Sequence, residues 1–343
     1  MNMKKYGFCV QDIPDNIEGV IARVTAVHRD YFAIVCEQGS TLARLKRGGY
    51  QHGESYPTTG DWVLLEWQAD GDSRIIKTLP RKTYFARLDP SSSGQAEQAV
   101  AANFDYVFIM QSLEHDFNLR RLERYLTLAW QSGATPVVIL TKADCVEDYQ
   151  THVRAAEKLA IGVDVLPISA NTGLGMEALE RYLQAGQTIV FLGSSGVGKS
   201  TLLNKLAGEN IMNTGGVRVG DGRGRHTTSH RQLILLESGV MVIDTPGMRE
   251  LGMWDVSAGL EHSFADVEEY FGSCRFGDCK HQSEPGCAVK AAIHSGELSQ
   301  ARWESYVHLS SEARFTTDKA GYLREKQQWQ KDISKKIKAM KTT

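Results

Sequence analysis

Gly193, Ser194, Ser195, Gly196, Val197, Gly198, Lys199 and Ser200, followed by Thr201, fit the pattern G-x-x-x-x-G-K-[ST]. Glycines at this spacing let a tight loop bring successive backbone N–H groups onto phosphate oxygens, an anion nest at a helix N-terminus. In that reading Lys199 reaches the β- and γ-phosphates, and the Ser200 hydroxyl ligates a Mg²⁺ that bridges them. The flanks suit it. Residues 187–192 form a short apolar run and residues 202–206 carry apolar side chains at helical spacing, so the order is strand, loop, helix.

A second constellation lies near the other end. Cys274, Cys279, His281 and Cys287 place three thiolates and an imidazole within fourteen residues. That set matches a closed tetrahedral zinc site with no open position, so one structural Zn²⁺ is expected rather than a catalytic one. Cys9, Cys36 and Cys145 are scattered and read as free thiols.

Three further strand ends carry candidate ligands. Thr141-Lys142-Ala-Asp144 follows one buried strand and Ser169-Ala170-Asn171 the next. Together they resemble the guanine-reading elements of GTPases. A carboxylate at Asp144 accepts from both N1–H and the 2-amino group of guanine, a donor pair adenine lacks, so an ATPase is disfavoured. Lys142 would lie along the base and the Ala170 N–H would point at O6. Asp244-Thr-Pro-Gly247 closes another strand; Asp244 would hold Mg²⁺ and the Gly247 N–H would sense the γ-phosphate. Between this motif and the P-loop, residues 213–230 are rich in Gly and Arg and predict a switch loop in which Thr227 or Thr228 reaches Mg²⁺.

The elements that must position these groups follow from periodicity. Residues 17–79 alternate polar and apolar residues in short runs broken by turn residues, which predicts a small all-β barrel, the OB-fold being the usual nucleic-acid-handling type. It serves either RNA or packing. Arg44, Lys46 and Arg47 at a strand end either touch RNA phosphate or form a solvated edge. Residues 81–102 read as a linker ending in a polar helix start. From residue 103, buried strands alternate with helices, the signature of a parallel sheet covered on both faces. The expected domains are a barrel over 1–80, a linker over 81–102, an α/β P-loop domain over 103–255, and a mostly helical zinc-binding domain over 256–343. The tail from residue 318 is rich in Lys and Arg with Tyr322 and Trp329 interleaved; it is either an RNA-contacting helix or a solvated tail.

Composition narrows the class. Across 343 residues, 42% are hydrophobic and 23% charged, with a net charge of −2, so any basic face is local. The first eleven residues lack the apolar core of a signal peptide and no run approaches membrane-span length, so a cytoplasmic protein with no membrane partner is expected.

The guanine-type motifs precede the P-loop, the reverse of an ordinary GTPase, so the domain reads as circularly permuted. With Gly60-Asp-Trp-Val63, Ala102-Asn-Phe-Asp105, Gly224-Arg-His-Thr-Thr228 and Glu284-Pro-Gly-Cys287, the chain resembles the ribosome small subunit-dependent GTPase A family, the YjeQ/RsgA group, over residues 17–312. The resemblance implies an OB-fold, a permuted GTPase domain and a zinc domain that dock on late precursors of the small ribosomal subunit and its rRNA. It implies hydrolysis of GTP to GDP and phosphate stimulated by that subunit, and a monomer. The alternative is a GTP-gated, RNA-binding assembly placeholder in which hydrolysis is incidental. Two positions depart from common GTPase patterns. Thr141 stands where many have Asn, leaving that residue's supporting hydrogen bond in question, and Gly196 stands where K⁺-activated GTPases have Asn, so K⁺ stimulation is not carried over. No Gln follows residues 244–247; His226 on the switch loop is the candidate for positioning the attacking water, with Lys199 as its catalytic partner at the phosphates and Arg223 or Arg225 as an alternative arginine finger.

Overall fold

The computed structural model describes residues 2–9, 19–46, 56–88, 97–212, 231–244 and 257–317. Two compact units result: Met1–Arg87 with Glu97–Leu251, and Leu88–Ala96 with Gly252–Thr343.

The first unit begins with a five-stranded barrel. Its strands are β1 (Val20–Val27), β2 (Phe32–Cys36), β3 (Gly39–Leu45), β4 (Trp62–Glu66) and β5 (Ser73–Thr78). They run in the order β1-β2-β3-β5-β4, and β4 returns to pair with β1. Period-two alternation turns Ala22, Val24, Ile34, Cys36, Ala43, Val63, Leu65 and Ile75 inward as one buried cluster. The small Ala22 and Ala43 leave room for the larger residues opposite, the economy a narrow barrel needs. Arg44 and Lys46 are engaged within the barrel, with Asp72 at 2.6 Å and Glu66 at 2.8 Å; Arg47 lies outside the described residues.

The α/β part follows. Strands β8 (Tyr106–Ser112), β9 (Thr135–Thr141), β10 (Val165–Pro167), β11 (Thr188–Gly193), β12 (Gln232–Leu235) and β13 (Met241–Asp244) form a sheet in the order β10-β9-β8-β11-β13-β12. All neighbours are parallel except β12 against β13. Continuous apolar runs make this possible, because strands covered on both faces have no polar side to show: Val107 to Met110 and Ile189 to Leu192 are all buried. Helices α1 (Leu119–Gln131), α2 (Gln150–Glu157) and α3 (Lys199–Ala207) supply the cover. Helix α1 starts where the Asn118 carboxamide accepts from the Arg121 N–H at 2.9 Å, and it buries Leu122, Tyr125, Leu126 and Ala129, a three-and-four-residue stripe. Each buried leucine contributes about 2 kcal/mol.

Counting β11 as the first strand and continuing cyclically through β13 to β8, β9 and β10, the spatial order read from β12 becomes 2-3-1-4-5-6. The chain therefore winds outward from β11 to both sides, and the order reverses there, at the crevice where open α/β sheets bind ligands.

The barrel and this sheet share hydrogen bonds through Ala26 of β1 and Gln232 of β12. Arg23 fastens them further. It is 2% exposed and donates to the carbonyls of Tyr6, Gly60 (3.4 Å) and Asn103 (2.7 Å) and to Thr188 Oγ1 (3.0 Å), while its guanidinium stands over Trp62. Burial lowers its pKa to about 10, so it stays charged at neutral pH. Gly60 sits beside it at φ +92°, where an added Cβ would lie 2.1 Å from the Ala102 carbonyl oxygen; only glycine fits. Asp61 pairs with Arg81 at 2.8 Å, Asn103 Nδ2 donates to Gly60 O at 3.2 Å, and Asp105 accepts from the Thr188 N–H at 2.7 Å. The two short motifs at residues 60–63 and 102–105 thus brace the joint.

Residues 97–102 differ from expectation. They form strand β7 (Glu97–Ala102) paired with β6 (Tyr84–Leu88), not the start of a helix. Packing decides it: Val100, Ala101 and Ala102 are buried, and Ala102 donates its N–H to Thr59 O at 3.0 Å.

The second unit contains α4 (Ser257–Ser263), α5 (Ala265–Glu268), α6 (Ala288–Ser295) and α7 (Gln300–Thr317). Arg302 of α7, 6% exposed, pairs with Asp266 at 2.8 Å and lies 4.0 Å over the Phe264 ring. Among the described residues, no helix is long and apolar enough to cross a membrane.

Candidate nucleotide site and metal cluster

Parallel register brings the strand-end motifs to one edge of the sheet. Gly193 stands opposite Met110, Ser112 opposite Thr141, and Pro167 opposite Leu140, so the P-loop, residues 141–144 and residues 169–170 all emerge at the carboxyl ends of neighbouring strands. Asp244 ends β13 one residue beyond the Val190–Ile243 pair, on the other side of β11.

The loop itself has the shape its glycines permit. Gly196 and Gly198 have φ of 78° and 107°, and Gly198 N-caps α3. At Gly193 an added Cβ would lie 2.6 Å from the Met110 carbonyl oxygen. The N–H groups of Ser195, Gly196, Val197 and Gly198 donate to no acceptor among the described residues, as an anion nest requires. Lys199 Nζ curls over the loop onto the carbonyls of Gly193 (2.7 Å) and Ser194 (2.6 Å). Ser200 and Thr201 occupy the first turn of α3, where N–H groups lack helical partners.

Thr141, standing where many GTPases have Asn, reaches the phosphate loop through its hydroxyl. Its hydroxyl, buried at 5% exposure, lies 2.6 Å from the Val197 carbonyl oxygen and 3.2 Å from that of Gln111. A hydroxyl donates one proton, and the shorter contact takes it. The base-side motif is thereby tied to the phosphate loop fifty-six residues on. Lys142 adopts φ 58° and pairs with Glu114 at 2.7 Å, a contact that holds the Glu114 carboxyl below its usual pKa. Asp144 is exposed. The Ala143 N–H donates to Ile168 O at 3.1 Å, locking residues 141–144 to 169–170, and Ser169 Oγ accepts from the Thr172 N–H at 3.2 Å.

Three residues beside the site carry no motif. Gln111, fully buried, clamps Asn118 through both its carboxamide atoms and closes the loop after β8. Glu114 and Asp116 project from that loop; Asp116 accepts from Ser194 Oγ and pairs with Arg121 at 2.8 Å. The available signal was positional: Gln111 lies near the end of a buried strand adjacent to the strand-order reversal, and Glu114 and Asp116 follow it. His226, Thr227, Thr228, Arg223, Arg225 and Gly247 lie outside the described residues.

In the second unit, the ligand atoms of Cys274, Cys279, His281 and Cys287 all lie within 4.8 Å of one another, so the cluster could hold a metal ion. His281 takes φ 58° and turns Nδ1 to within 3.5 Å of both Cys274 Sγ and Cys287 Sγ. The Ala288 N–H, at the start of α6, donates to Cys274 Sγ at 3.4 Å, which favours a thiolate. Glu284 accepts from the N–H groups of Lys280, Gln282 and Ser283 and shapes the turn; the bond from its own backbone N–H, aided by these three, holds its carboxyl at a pKa of about 2. Phe271 stacks on the His281 ring at 4.6 Å.

A nucleotide site at the reversal of a sheet whose strands run in permuted order defines a circularly permuted P-loop GTPase. The family model described as RsgA GTPase matches residues 78–254. The chain belongs to the RsgA GTPase family. It is 48% identical over 319 residues to small ribosomal subunit biogenesis GTPase RsgA 2 of Listeria monocytogenes serotype 4b (strain F2365), covering 92% of this chain and 90% of the relative. It is 50% identical over 295 residues to RsgA 1 of Listeria monocytogenes serovar 1/2a (strain ATCC BAA-679 / EGD-e), covering 85% and 83%. The crystal structure of YjeQ from Thermotoga maritima aligns with TM-score 0.63 at 27% identity over 86% of this chain and 98% of that one.

Proposed function

We propose that this GTPase binds the small ribosomal subunit and hydrolyses GTP to GDP and phosphate during late maturation of that subunit. One observation carries the reading: the base-side and phosphate-side motifs, in reversed chain order, are joined by the Thr141–Val197 hydrogen bond at one sheet edge. The relatives' names supply the partner.

The residues take these roles. Asp144 reads the guanine N1–H and 2-amino group, Lys142 lies along the base, and the Ala170 N–H meets O6. The loop from Gly193 to Thr201 cradles the phosphates, and Lys199 leaves its two loop carbonyls for phosphate oxygens. Ser200 and Asp244, with Thr228, would hold Mg²⁺; these hard oxygen donors suit it. Held there, it would supply neutralisation of the charge developing on the phosphates. The Gly247 N–H senses the γ-phosphate, and His226 positions the attacking water once the ribosomal partner orders its loop.

The metal cluster holds one structural zinc. Cys274, Cys279, His281 and Cys287 would hold it: tetrahedral coordination would set sulfur and nitrogen about 3.6 Å apart, and the two separations of 3.5 Å from His281 Nδ1 fit that. The barrel is an OB-fold, supported by its β1-β2-β3-β5-β4 closure. The domains divide at residues 1–80, 81–102, 103–255 and 256–343, the last division supported by the break between Leu251 and Gly252. The protein works as a cytoplasmic monomer without a membrane partner.

The test is nucleotide turnover by purified protein alone, with small subunits and with large subunits, using ATP as control. A GTP-specific rise with small subunits alone is expected, and His226→Ala is expected to remove that rise while GDP affinity stays unchanged. Unstimulated turnover with nucleotide-dependent subunit binding retained overturns the reading in favour of an assembly placeholder.

A further inference from the structure

The C-terminal unit carries a groove of about 740 Å³ beside its metal cluster. Its floor is aromatic. Trp303 and Tyr306 stack with centroids 5.7 Å apart at 19°, and Trp303 stands edge-on to His281. Trp303, Tyr306, Val307 and Arg314 of α7 lie three, four and seven residues apart and so share one helical face. Its rim is cationic: Lys280 from the metal-site turn, Lys290 from α6 and Arg314 from α7 line it, and no carboxylate does. Lys280 and Lys290 are exposed and make no ion pair among the described residues.

Metal-site support explains part of this. Phe271 on His281, and Trp303 against both, close one side of the cluster. It does not explain Val307, which stays 45% exposed on the groove floor, or three cations from three separate elements converging on an aromatic surface in a chain of net charge −2.

We propose that this groove binds single-stranded RNA. Lys280, Lys290 and Arg314 meet backbone phosphates, and one unpaired base lies over Tyr306 and Val307 beside Trp303. Planar bases stack on aromatic side chains while a cationic rim follows the backbone, the combination by which proteins hold unpaired strands. The volume suits a nucleotide-sized ligand. An acidic peptide would satisfy the rim but has no planar face for the floor. The inference rests on the small-subunit reading above and specifies which form of RNA meets the metal-binding unit, and where.

The experiment uses full-length, GDP-loaded protein and a fluorescein-labelled oligouridine of ten nucleotides, followed by anisotropy across a salt series. Val307→Glu, which puts a carboxylate on the floor at an exposed position, is expected to weaken binding about ten-fold. The double substitution Lys280→Ala/Lys290→Ala is expected to reduce the slope of log affinity against log salt by about 1.4, about 0.7 for each lost phosphate contact. Metal content and melting temperature serve as folding controls, and Trp303 is left intact because it touches Phe271 and His281. A 4-thiouridine oligonucleotide should photocrosslink within residues 271–314. Wild-type affinity and salt slope in both variants, crosslinks only elsewhere, or displacement by polyglutamate as effective as by unlabelled oligouridine would each overturn the proposal, the last in favour of an acidic polypeptide. Small-subunit stimulation of wild-type turnover is measured in parallel. Its absence sinks the small-subunit reading, whereas its presence with unaltered variants sinks only the groove.

Discussion

Thr141→Val replaces one hydroxyl by a methyl of the same shape at a site 5% exposed. No cavity opens, so the cost is the lost hydrogen bond and the stranded Val197 carbonyl, whose residue is fully buried. Leaving a buried acceptor unsatisfied costs about 1–3 kcal/mol. Val197 belongs to the phosphate loop, so the loss falls on the ordering of that loop, and a central value near 2 kcal/mol corresponds to a roughly thirty-fold fall in affinity for GDP. Thr141→Ser gives the opposite pattern. It keeps the donor and deletes a buried methyl, which lowers fold stability by about 1 kcal/mol while leaving nucleotide affinity near wild type. The assay is titration of a fluorescent GDP analogue alongside urea denaturation for all three proteins. If Thr141→Val binds within two-fold of wild type, or if Thr141→Ser binds as weakly as Thr141→Val, the tether does not order the loop and the reasoning fails.

Other perturbations probe the joint and the metal unit. Gly60→Ala forces a Cβ into the Ala102 carbonyl at a left-handed φ and should destabilise the first unit by about 2–3 kcal/mol or more, read from the denaturation midpoint. Cys287→Ser should purify with less than one equivalent of zinc by elemental analysis and lose protease resistance in residues 257–317, with GDP binding intact. The Tyr182 hydroxyl, pushed up to about 12 by burial and by the Asp164 carboxylate to which it donates, has a folded pKa above its ordinary value of 10.0. Its stabilising contribution is therefore present below about pH 10 and lost as pH rises toward about 12. Tyr182→Phe should flatten that alkaline limb of the stability profile, and an unchanged limb would assign it to other groups.

Local patterns announced the chemistry, and distant contacts hid the architecture. The P-loop and the Cys274, Cys279, His281 and Cys287 cluster could be read directly because each is fixed by residue types within one short segment. The role of Thr141 could be posed but not answered, since its acceptor is the Val197 carbonyl in the phosphate loop, fifty-six residues away. Arg23 looked like any polar residue in an alternating strand; its partners come from Tyr6, Gly60, Asn103 and Thr188, and nothing in its neighbourhood predicts burial. Residues 97–102 misled for the same reason, because the burial of Val100 to Ala102 overrides a polar, turn-rich flank. Glu114 reveals its place only when the sheet order sets the loop after β8 beside Lys142.

The pairing of β1 with β12 also bears on how much unpaired strand edge this chain offers to a neighbouring molecule. A sheet of eleven strands would ordinarily offer two long rows of unpaired backbone groups to a neighbouring molecule. Here one end curls into the barrel, where β4 meets β1 and no barrel strand among the described residues lacks a neighbour on either side. The other end is β10, only three residues long and finishing in Pro167, which has no N–H to offer. Closure of the barrel by β4 on β1 thus removes one aggregation-prone border, and brevity with a proline blunts the other.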